Sequence, residues 1–276
     1  MTQPLLYEQH MHTPLCKHAS GLPGEYAAVA EQRGLKGIVV TCHNPLSGGM
    51  SDAVRMSPNQ WNEYLELVES TRQEWVGRVD VRVGLECDFL PGLEKYLEKQ
   101  ISSAPLHHVL GSVHPFIAEY RMLYWNGDMD AYIIQYFEHI ATAAETGLFD
   151  TMSHPDLIKN LCAQSWSVRD HIDEIKPRLD RIAKSGVAME LNTSGMYKPY
   201  PEYNPGSEIL KEMSQRGIPC VIGADAHSPG RVADLFEDAL ETLQKAGYEH
   251  VSFFIDRKRQ DIAIPDALAS LKPLDS

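Results

Sequence analysis

The stretch EQHMH, from Glu8 to His12, decides the fold because it places two histidines at the end of a predicted strand. We predict this first strand over residues 5–11, where side chains at i and i+2 leave the same face. His10 and His12 would then point the same way. Two imidazoles on one face can bind one metal ion, although the same spacing also arises by chance in exposed segments. The interpretation gains weight because similar strand ends recur along the chain.

Strand-like and helix-like segments alternate along the chain without a linker or a change of composition. Residues 37–41 (GIVVT) and 79–86 (VDVRVGLE) are typical of strands, and residues 59–75 have the spacing of an amphipathic helix. The alternation predicts one α/β domain over residues 1–276 with a parallel sheet. A glycine-rich turn, expected after the first strand of an open dinucleotide-binding sheet, is missing, which favours a barrel. The last strand is predicted at 251–255, followed by a polar tail.

Composition limits the partners. The net charge of −13 and the pI near 5.3 argue against binding to a nucleic-acid polymer or an anionic membrane, which needs a basic surface. No apolar run is long enough for a membrane helix, and the N-terminus lacks the pattern of a signal peptide. Five cysteines without CxxC spacing fit reduced thiols, so we expect a cytoplasmic protein.

Each predicted strand ends near a side chain that can bind a metal ion. The nine candidates are His10, His12, His18, His43, Glu86, His114, His154, Asp225 and His227. The carboxyl ends of barrel strands converge on one face, so these side chains would meet there. Their nitrogen and oxygen atoms suit zinc, manganese or iron, and nine ligands are too many for one ion. We therefore predict two or three divalent metal ions.

Other candidate ligands are interpreted as structural. Five histidines do not end a predicted strand: His107, His108, His139, His171 and His250. Strand alternation turns Cys42 and Cys87 away from the faces of their neighbours His43 and Glu86, which predicts core positions. Cys16 lies in a loop, and its role stays open.

The motifs together resemble the PHP (polymerase and histidinol phosphatase) family over about residues 5–240. The matching elements are the HxH pair, His18, the strand into His43, and residues 84–88 (GLECD), 112–114 (SVH), 153–156 (SHPD) and 225–227 (DAH). Residues 190–195 (ELNTSG) are similar to the histidinol-phosphatase branch in particular. The resemblance implies a distorted (β/α)7 TIM-like barrel with a trinuclear metal centre.

The resemblance also implies how the ligands divide. The first ion would be held by His10, His12, Glu86 and Asp225, the second by Glu86, His114 and His154, and the third by His18, His43 and His227. Many family members carry an acidic residue just before the histidine of the second motif. Here that residue is Cys42, so an acid or base role at this position is in doubt.

Such a centre predicts hydrolysis of a phosphate monoester by a metal-activated hydroxide. The resemblance to the histidinol-phosphatase branch implies L-histidinol phosphate as the favoured small substrate. Glu86 would bridge two ions, and Asp225 and His227 are candidates for protonating the leaving group. Basic residues after the strands are predicted to bind the phosphate; they are Arg121, Lys159 and Lys198.

Two alternatives remain open. A phosphoesterase acting on nucleotides or other small phosphoesters would use the same centre. An aromatic wall could stack a base as well as an imidazole, and its candidates are Tyr120, Tyr124, Trp125 and Tyr197. A non-catalytic metal-binding scaffold is the other alternative, although such a protein would not need all nine ligands.

Overall fold

The computed structural model describes residues 3–273. Within this range the strands are β1 (Tyr7–Glu8), β2 (Gly37–Val40), β3 (Asp80–Val83), β4 (Leu85–Asp88), β5 (Val109–Ser112), β6 (Thr151–Met152), β7 (Ala188–Asn192), β8 (Cys220–Gly223), β9 (His250–Ile255) and β10 (Lys258–Ala263). The helices are α1 (Pro23–Gln32), α2 (Trp61–Glu74), α3 (Glu94–Ile101), α4 (Ala118–Tyr124), α5 (Met129–Glu145), α6 (Val168–Ser185), α7 (Ser207–Gln215), α8 (Phe236–Lys245) and α9 (Ile264–Ser270).

The strands from β1 to β9 run parallel and follow each other in chain order. β1, β2 and β3 form one sheet, and β4 to β10 form a second. Only the last pair, β9 with β10, is antiparallel among the described strands. Helices connect most of the parallel neighbours, so the predicted α/β architecture is confirmed.

β3 and β4 form one strand path that bends at Gly84. A Cβ at this position would lie 2.6 Å from the carbonyl oxygen of His108, so the close approach requires glycine. Before the bend β3 pairs with β2, and after it β4 pairs with β5. At the bend the chain leaves the first sheet and enters the second, just before Glu86.

Isolated bridges link neighbouring segments at the carboxyl ends of the strands, a region that we call the mouth. Glu86 bridges His43, and Met11 bridges Ala226 beyond the end of β8. The N–H of His12 donates to the carbonyl oxygen of Ala226 at 2.9 Å. The described strands β1 and β8 share no continuous ladder, and the barrel is therefore distorted, as predicted.

A side chain spans the gap between β9 and β1. The Gln9 amide donates from Nε2 to the carbonyl oxygen of Phe254 at 2.6 Å. Its Oε1 accepts from the Phe254 N–H at 2.8 Å. The side chain thus forms with β9 the two hydrogen bonds that a neighbouring strand would supply.

The prediction of a polar tail after residue 255 is wrong. Asp256 and Arg257 both have a positive φ, 54° and 58°, and form the turn of a hairpin whose second strand is β10. The following helix α9 buries Ile264 and Ala267. Residues 258–261 are exposed and polar, which is why this strand resembles a tail in the sequence.

The helices bury one face against the sheet. In α6 the buried residues Ile175, Leu179 and Ile182 follow one another at helical spacing. Each such side chain contributes roughly 1.5–3 kcal/mol when it leaves water. No helix among residues 3–273 is long and apolar enough to cross a membrane.

Candidate metal centre

Glu86 lies at the centre of the mouth, in β4, and is fully buried. Its Oε2 faces three histidines from the first two strands. His10 Nε2 lies 3.5 Å away, His12 Nε2 3.6 Å and His43 Nδ1 2.7 Å. Strand alternation explains the first two, because His10 and His12 leave the same face of the segment after β1.

The other oxygen of Glu86 faces the next two strands. Its Oε1 lies 3.5 Å from His114 Nε2, beyond β5, and 3.1 Å from His154 Nε2, beyond β6. Ser112 Oγ donates to the same oxygen at 2.7 Å and fixes the orientation of the carboxylate. The two oxygens of one carboxylate therefore serve two different groups of histidines.

Asp225 closes the first group from the opposite side. Its Oδ1 lies 3.1 Å from His12 Nε2 and 3.6 Å from His10 Nε2. Its Oδ2 accepts from Ser194 Oγ at 3.0 Å and lies 3.8 Å from Lys198 Nζ. Asp225 has φ 48°, a left-handed conformation that non-glycine residues adopt at a cost of about 1–3 kcal/mol and that clusters at functional sites.

A third group lies nearer the solvent. His18 Nε2 and His227 Nε2 are 2.9 Å apart. The Nδ1–H of His18 donates to the carbonyl oxygen of Cys16 at 2.8 Å, and that of His227 donates to the carbonyl oxygen of Asp225 at 2.9 Å. These bonds direct both Nε2 atoms toward each other. The ring of His43 is 5.3 Å from that of His18 and completes the group.

The structure thus brings all nine predicted side chains together. Two further carboxylates that the sequence analysis did not assign support them. Glu190, in β7, accepts from His10 Nδ1–H at 2.7 Å and from the His154 backbone N–H at 2.9 Å. A buried glutamate within the apolar stretch VAMEL was the available signal for it.

Asp88, in β4, is the second such carboxylate. It accepts from His114 Nδ1–H and forms an ion pair with Arg55, which is 1 % exposed. Arg55 Nη1 also donates to the carbonyl oxygen of Asn44 at 3.0 Å. Arg55 lies in a long loop between β2 and α2, so no strand or helix periodicity in the sequence predicts this contact. The chain Arg55–Asp88–His114 holds the imidazole in one orientation.

The carboxylates and imidazoles at the mouth shift each other's pKa values toward the charged forms. Burial alone would lower the pKa of His10, but the carboxylates of Glu190, Asp225 and Glu86 raise it well above its usual value. Burial would raise the pKa of Glu86, yet His43 and His10 hold it well below the usual range. Asp225 behaves in the same way, chiefly because of His10 and His12. The carboxylates therefore remain ionised beside clustered imidazoles.

Several buried polar atoms at the centre have no hydrogen-bond partner. They are His10 Nε2, His43 Nδ1 and Glu86 Oε2, and all three converge on one point. Unpaired buried polar atoms are costly unless a ligand satisfies them. The ligand atoms of His10, His12 and Glu86 lie within 4.8 Å of one another, as do those of His43, Glu86 and His114. This donor set fits divalent metal ions.

The centre opens into a cavity of about 460 Å³. Its polar side carries the histidines beside Glu86 and Asp225, together with Lys198. Its apolar side is lined by Val54, Phe116, Ile117, Leu157 and Pro199. The cavity therefore combines a charged floor with an apolar wall, which suits a small organic anion.

The three predicted phosphate-binding residues do not share this cavity. Lys198 lines it, with a side chain 29 % exposed. Arg121 is exposed on α4 and is not among the lining residues. Lys159 is fully buried and is not among the lining residues either.

Lys159 has a structural environment. Its Nζ lies 3.1 Å from Asp156 Oδ2 and 3.0 Å from Glu202 Oε2, and it donates to the carbonyl oxygen of Tyr203 at 2.6 Å. These partners hold the loop that contains Lys198. The sequence did not predict this buried environment, because Glu202 is far from Lys159 along the chain and only the fold brings the two together. Asn160, the next residue along, lines the cavity instead.

All five cysteines are free thiols. Cys42 and Cys87 are fully buried in the core, as predicted. Cys42 Sγ accepts from Thr13 Oγ1 at 3.2 Å. Cys16 is also fully buried, and its sulfur lies within 4.8 Å of ligand atoms of His18 and His227.

Comparison with known proteins gives the family. A model of the PHP domain matches residues 8–194. A "Probable histidinol-phosphatase" of Deinococcus radiodurans is 37 % identical over 262 residues, covering 90 % of this chain and 96 % of that protein. A "Histidinol-phosphatase" of Bacillus subtilis is 27 % identical, covering 84 % of this chain and 97 % of that protein. The chain belongs to the PHP domain family.

Solved structures agree on the fold. The crystal structure of histidinol phosphate phosphatase from Lactococcus lactis, complexed with zinc, L-histidinol and phosphate, superimposes with a TM-score of 0.76. It is 20 % identical in sequence, covering 92 % of this chain and 98 % of that one. The match shows a common fold, the distorted barrel described above.

Proposed function

We propose that this member of the PHP family is a metal-dependent phosphatase that hydrolyses L-histidinol phosphate. The observation that carries the proposal is the convergence of seven histidines and two carboxylates at one mouth. Five of these histidines and both carboxylates line the cavity. The relationship to a protein named as a histidinol-phosphatase, at 37 % identity, supports the choice of substrate. Free thiols throughout the chain fit a reducing compartment, and we place the activity in the cytoplasm.

The side chains divide into three positions for divalent ions, which would be zinc, manganese or iron. The first position comprises His10, His12, Glu86 and Asp225, the second Glu86, His114 and His154, and the third His18, His43 and His227. The division of the two Glu86 oxygens between separate histidine groups supports a bridging role for this carboxylate. Ser112 would keep it in that orientation.

Ions bound at these positions would supply positive charge for the phosphoryl oxygens and lower the pKa of a water molecule. The chain's own residues would do the rest. Lys198 would attract a phosphate oxygen at the edge of the cavity. Asp225 and His227 are the candidates for carrying to the leaving alkoxide the proton that the bound water would release, because Asp225 stays ionised and has no proton of its own to give. Ser194 donates to Asp225 Oδ2 and would limit the positions that this oxygen takes.

The apolar wall supports a substrate with an organic ring. Phe116 and Ile117 precede α4 and face the cavity opposite the charged floor. An imidazole could pack against them while the phosphate reaches the histidines. Phe116 is 42 % exposed, so a ligand would cover apolar surface that is now in contact with water.

The test is phosphate release from L-histidinol phosphate by zinc- or manganese-loaded protein. p-Nitrophenyl phosphate and a nucleoside monophosphate are measured beside it. We expect a kcat/KM of at least ~10⁴ M⁻¹s⁻¹ for L-histidinol phosphate, well above the others. Preference for the nucleotide would contradict the proposed substrate, and no release from any of the three would contradict a phosphatase.

A further inference from the structure

Glu190 contacts one residue from each of two ion positions. Its Oε1 accepts from His10 Nδ1–H at 2.7 Å, and its Oε2 accepts from the His154 N–H at 2.9 Å. The side chain is fully buried in β7 and is not among the residues that line the cavity. It therefore acts on the centre only through its neighbours.

The contacts require a carboxylate. Asn192 Nδ2 also donates to Glu190 Oε2, at 3.1 Å, so both oxygens face only donors. An amide of the same shape has one oxygen and one NH₂ group. Glutamine would therefore place its NH₂ group against either His10 Nδ1–H or the His154 N–H. One of these two hydrogen bonds would then be lost.

The surrounding backbone is arranged to admit this carboxylate. A Cβ on Gly223 would lie 2.0 Å from Glu190 Oε1 and 2.7 Å from the His10 Cβ. His154 has φ 27°, in the left-handed region, and the Glu190 bond to its N–H holds the residue there. A required glycine at position 223 and a left-handed residue at position 154 thus lie beside the same carboxylate.

We propose that Glu190 is a positioning residue that couples the first and second ion positions. Through Oε1 it orients the His10 imidazole, and through Oε2 it fixes the backbone from which the His154 imidazole projects. Loss of Glu190 then weakens both positions together, whereas loss of a ligand in one position acts mainly there. This inference rests on the metal-dependent function proposed above.

The first experiment measures zinc binding to chelator-treated protein by calorimetry, with metal content determined after dialysis. In Glu190→Gln we expect the zinc affinities of the first and second ion positions each to fall by about 10- to 100-fold. This is the usual range for carboxylates that orient metal-binding histidines. Asp150→Asn is the matched control, because the buried Asp150 carboxylate pairs with the Val109 N–H and Arg257 and not with a predicted metal ligand. The control should keep wild-type affinities within about threefold.

The second experiment separates the two hydrogen bonds. His10→Ala removes the first of them and leaves an ion position at His114 and His154. Adding Glu190→Gln to this variant should weaken binding of the ion at this second position by a further factor of ten or more, whereas the third position should be unaffected. If the double variant binds that ion as tightly as His10→Ala does, Glu190 acts through His10 alone and the coupling is refuted.

The outcomes distinguish this inference from the proposed function. Wild-type protein that binds no divalent ion would overturn both. Wild-type protein that binds ions normally, beside Glu190→Gln with unchanged affinities, would overturn the coupling alone. Circular dichroism verifies folding, and if Glu190→Gln does not fold, Glu190→Asp replaces it. Aspartate keeps the charge but is one methylene shorter, so it too should weaken zinc binding at both positions.

Discussion

Strand β5 has a histidine beyond each end, His108 fully buried and His114 partly exposed, and the two differ in their electrostatic surroundings. At the amino end, His108 stacks on Phe254 with ring centroids 5.2 Å apart, and its Nε2 is 2.9 Å from Thr151 Oγ1. Burial lowers the pKa of His108 to about 3. At the carboxyl end, burial acts on His114 too, but the carboxylate of Asp88 raises its pKa.

The difference shows that burial does not by itself make a histidine part of a reactive site. His108 is neutral, packed on an aromatic ring and paired with a hydroxyl group. His114 is held by a charged partner, and its Nε2 faces the carboxylate of Glu86. The carboxyl ends of the strands concentrate charge, while the amino ends satisfy polar groups with neutral neighbours or close ion pairs.

Glu86→Gln should have the largest effect, because it removes the charge that the mouth is arranged around. We expect loss of bound metal and a fall in kcat/KM of about 10³-fold or more, corresponding to several kcal/mol of charge stabilisation. Metal analysis and phosphate release measure the two. The control is Glu145→Gln, on the surface of α5, which should change neither. Full turnover by Glu86→Gln would contradict the view that charge at the carboxyl ends of the strands is what distinguishes them from the amino ends.

Lys159→Met tests whether a buried cation near the mouth is structural. The change leaves the buried Asp156 with neutral donors from Asn204 and Gly206 but without its cation, so we expect a loss of about 3–5 kcal/mol in the free energy of unfolding. Urea denaturation measures it. Lys176→Met removes a partly exposed ion pair and should cost at most about 1 kcal/mol. A Lys159 variant that is stable but has a raised KM would instead restore the phosphate-binding role predicted from sequence.

Lys198→Ala tests the cation that does line the cavity. We expect kcat/KM to fall by about 10- to 100-fold with unchanged metal content, since a charged contact contributes about 1.5–3 kcal/mol. Arg121→Ala is measured in parallel, because the structure leaves Arg121 outside the cavity. An equal loss from Arg121→Ala would mean that α4 reaches the substrate after all.

His108 should make the protein less stable in acid, and this is the smallest effect. Its folded pKa is below the value near 6.5 of an unfolded histidine, so its contribution is complete above pH 6.5 and is lost as pH falls toward 3. Between pH 7 and pH 5, wild-type protein should lose about 2 kcal/mol more than His108→Gln. Urea denaturation of metal-free protein at both pH values measures this. Equal losses would show that His108 gains a proton without penalty.

The sequence predicts that the nine side chains come together, because the relevant information is local. A histidine that ends an apolar strand can be recognised from a few residues, and parallel strands bring their carboxyl ends together. His10 and His12 needed only the period of a strand, and the aspartate and histidine at 225 and 227 repeated the same spacing. The alternation of strands and helices predicted the barrel by equally local rules.

Contacts between distant residues are what the sequence left undetermined. Lys159 looks like a surface cation until Glu202 is brought beside it by a loop. Glu190 begins the matching segment ELNTSG, but its contacts depend on two histidines from other parts of the chain. β10 was missed because its exposed residues lack alternation, and only the turn at Asp256 and Arg257 returns the chain to β9.

The Gln9 amide links the end of the chain to its beginning. Strand β9 is reached only after residue 249, yet its backbone is hydrogen-bonded to the residue that precedes His10. A chain still emerging during synthesis cannot form this pair until β9 has been made. The amide would stay without these partners, and the edge of β8 without β9, until that point. The first ion position would therefore be among the last parts of the protein to acquire its final shape, although its histidines are synthesised first.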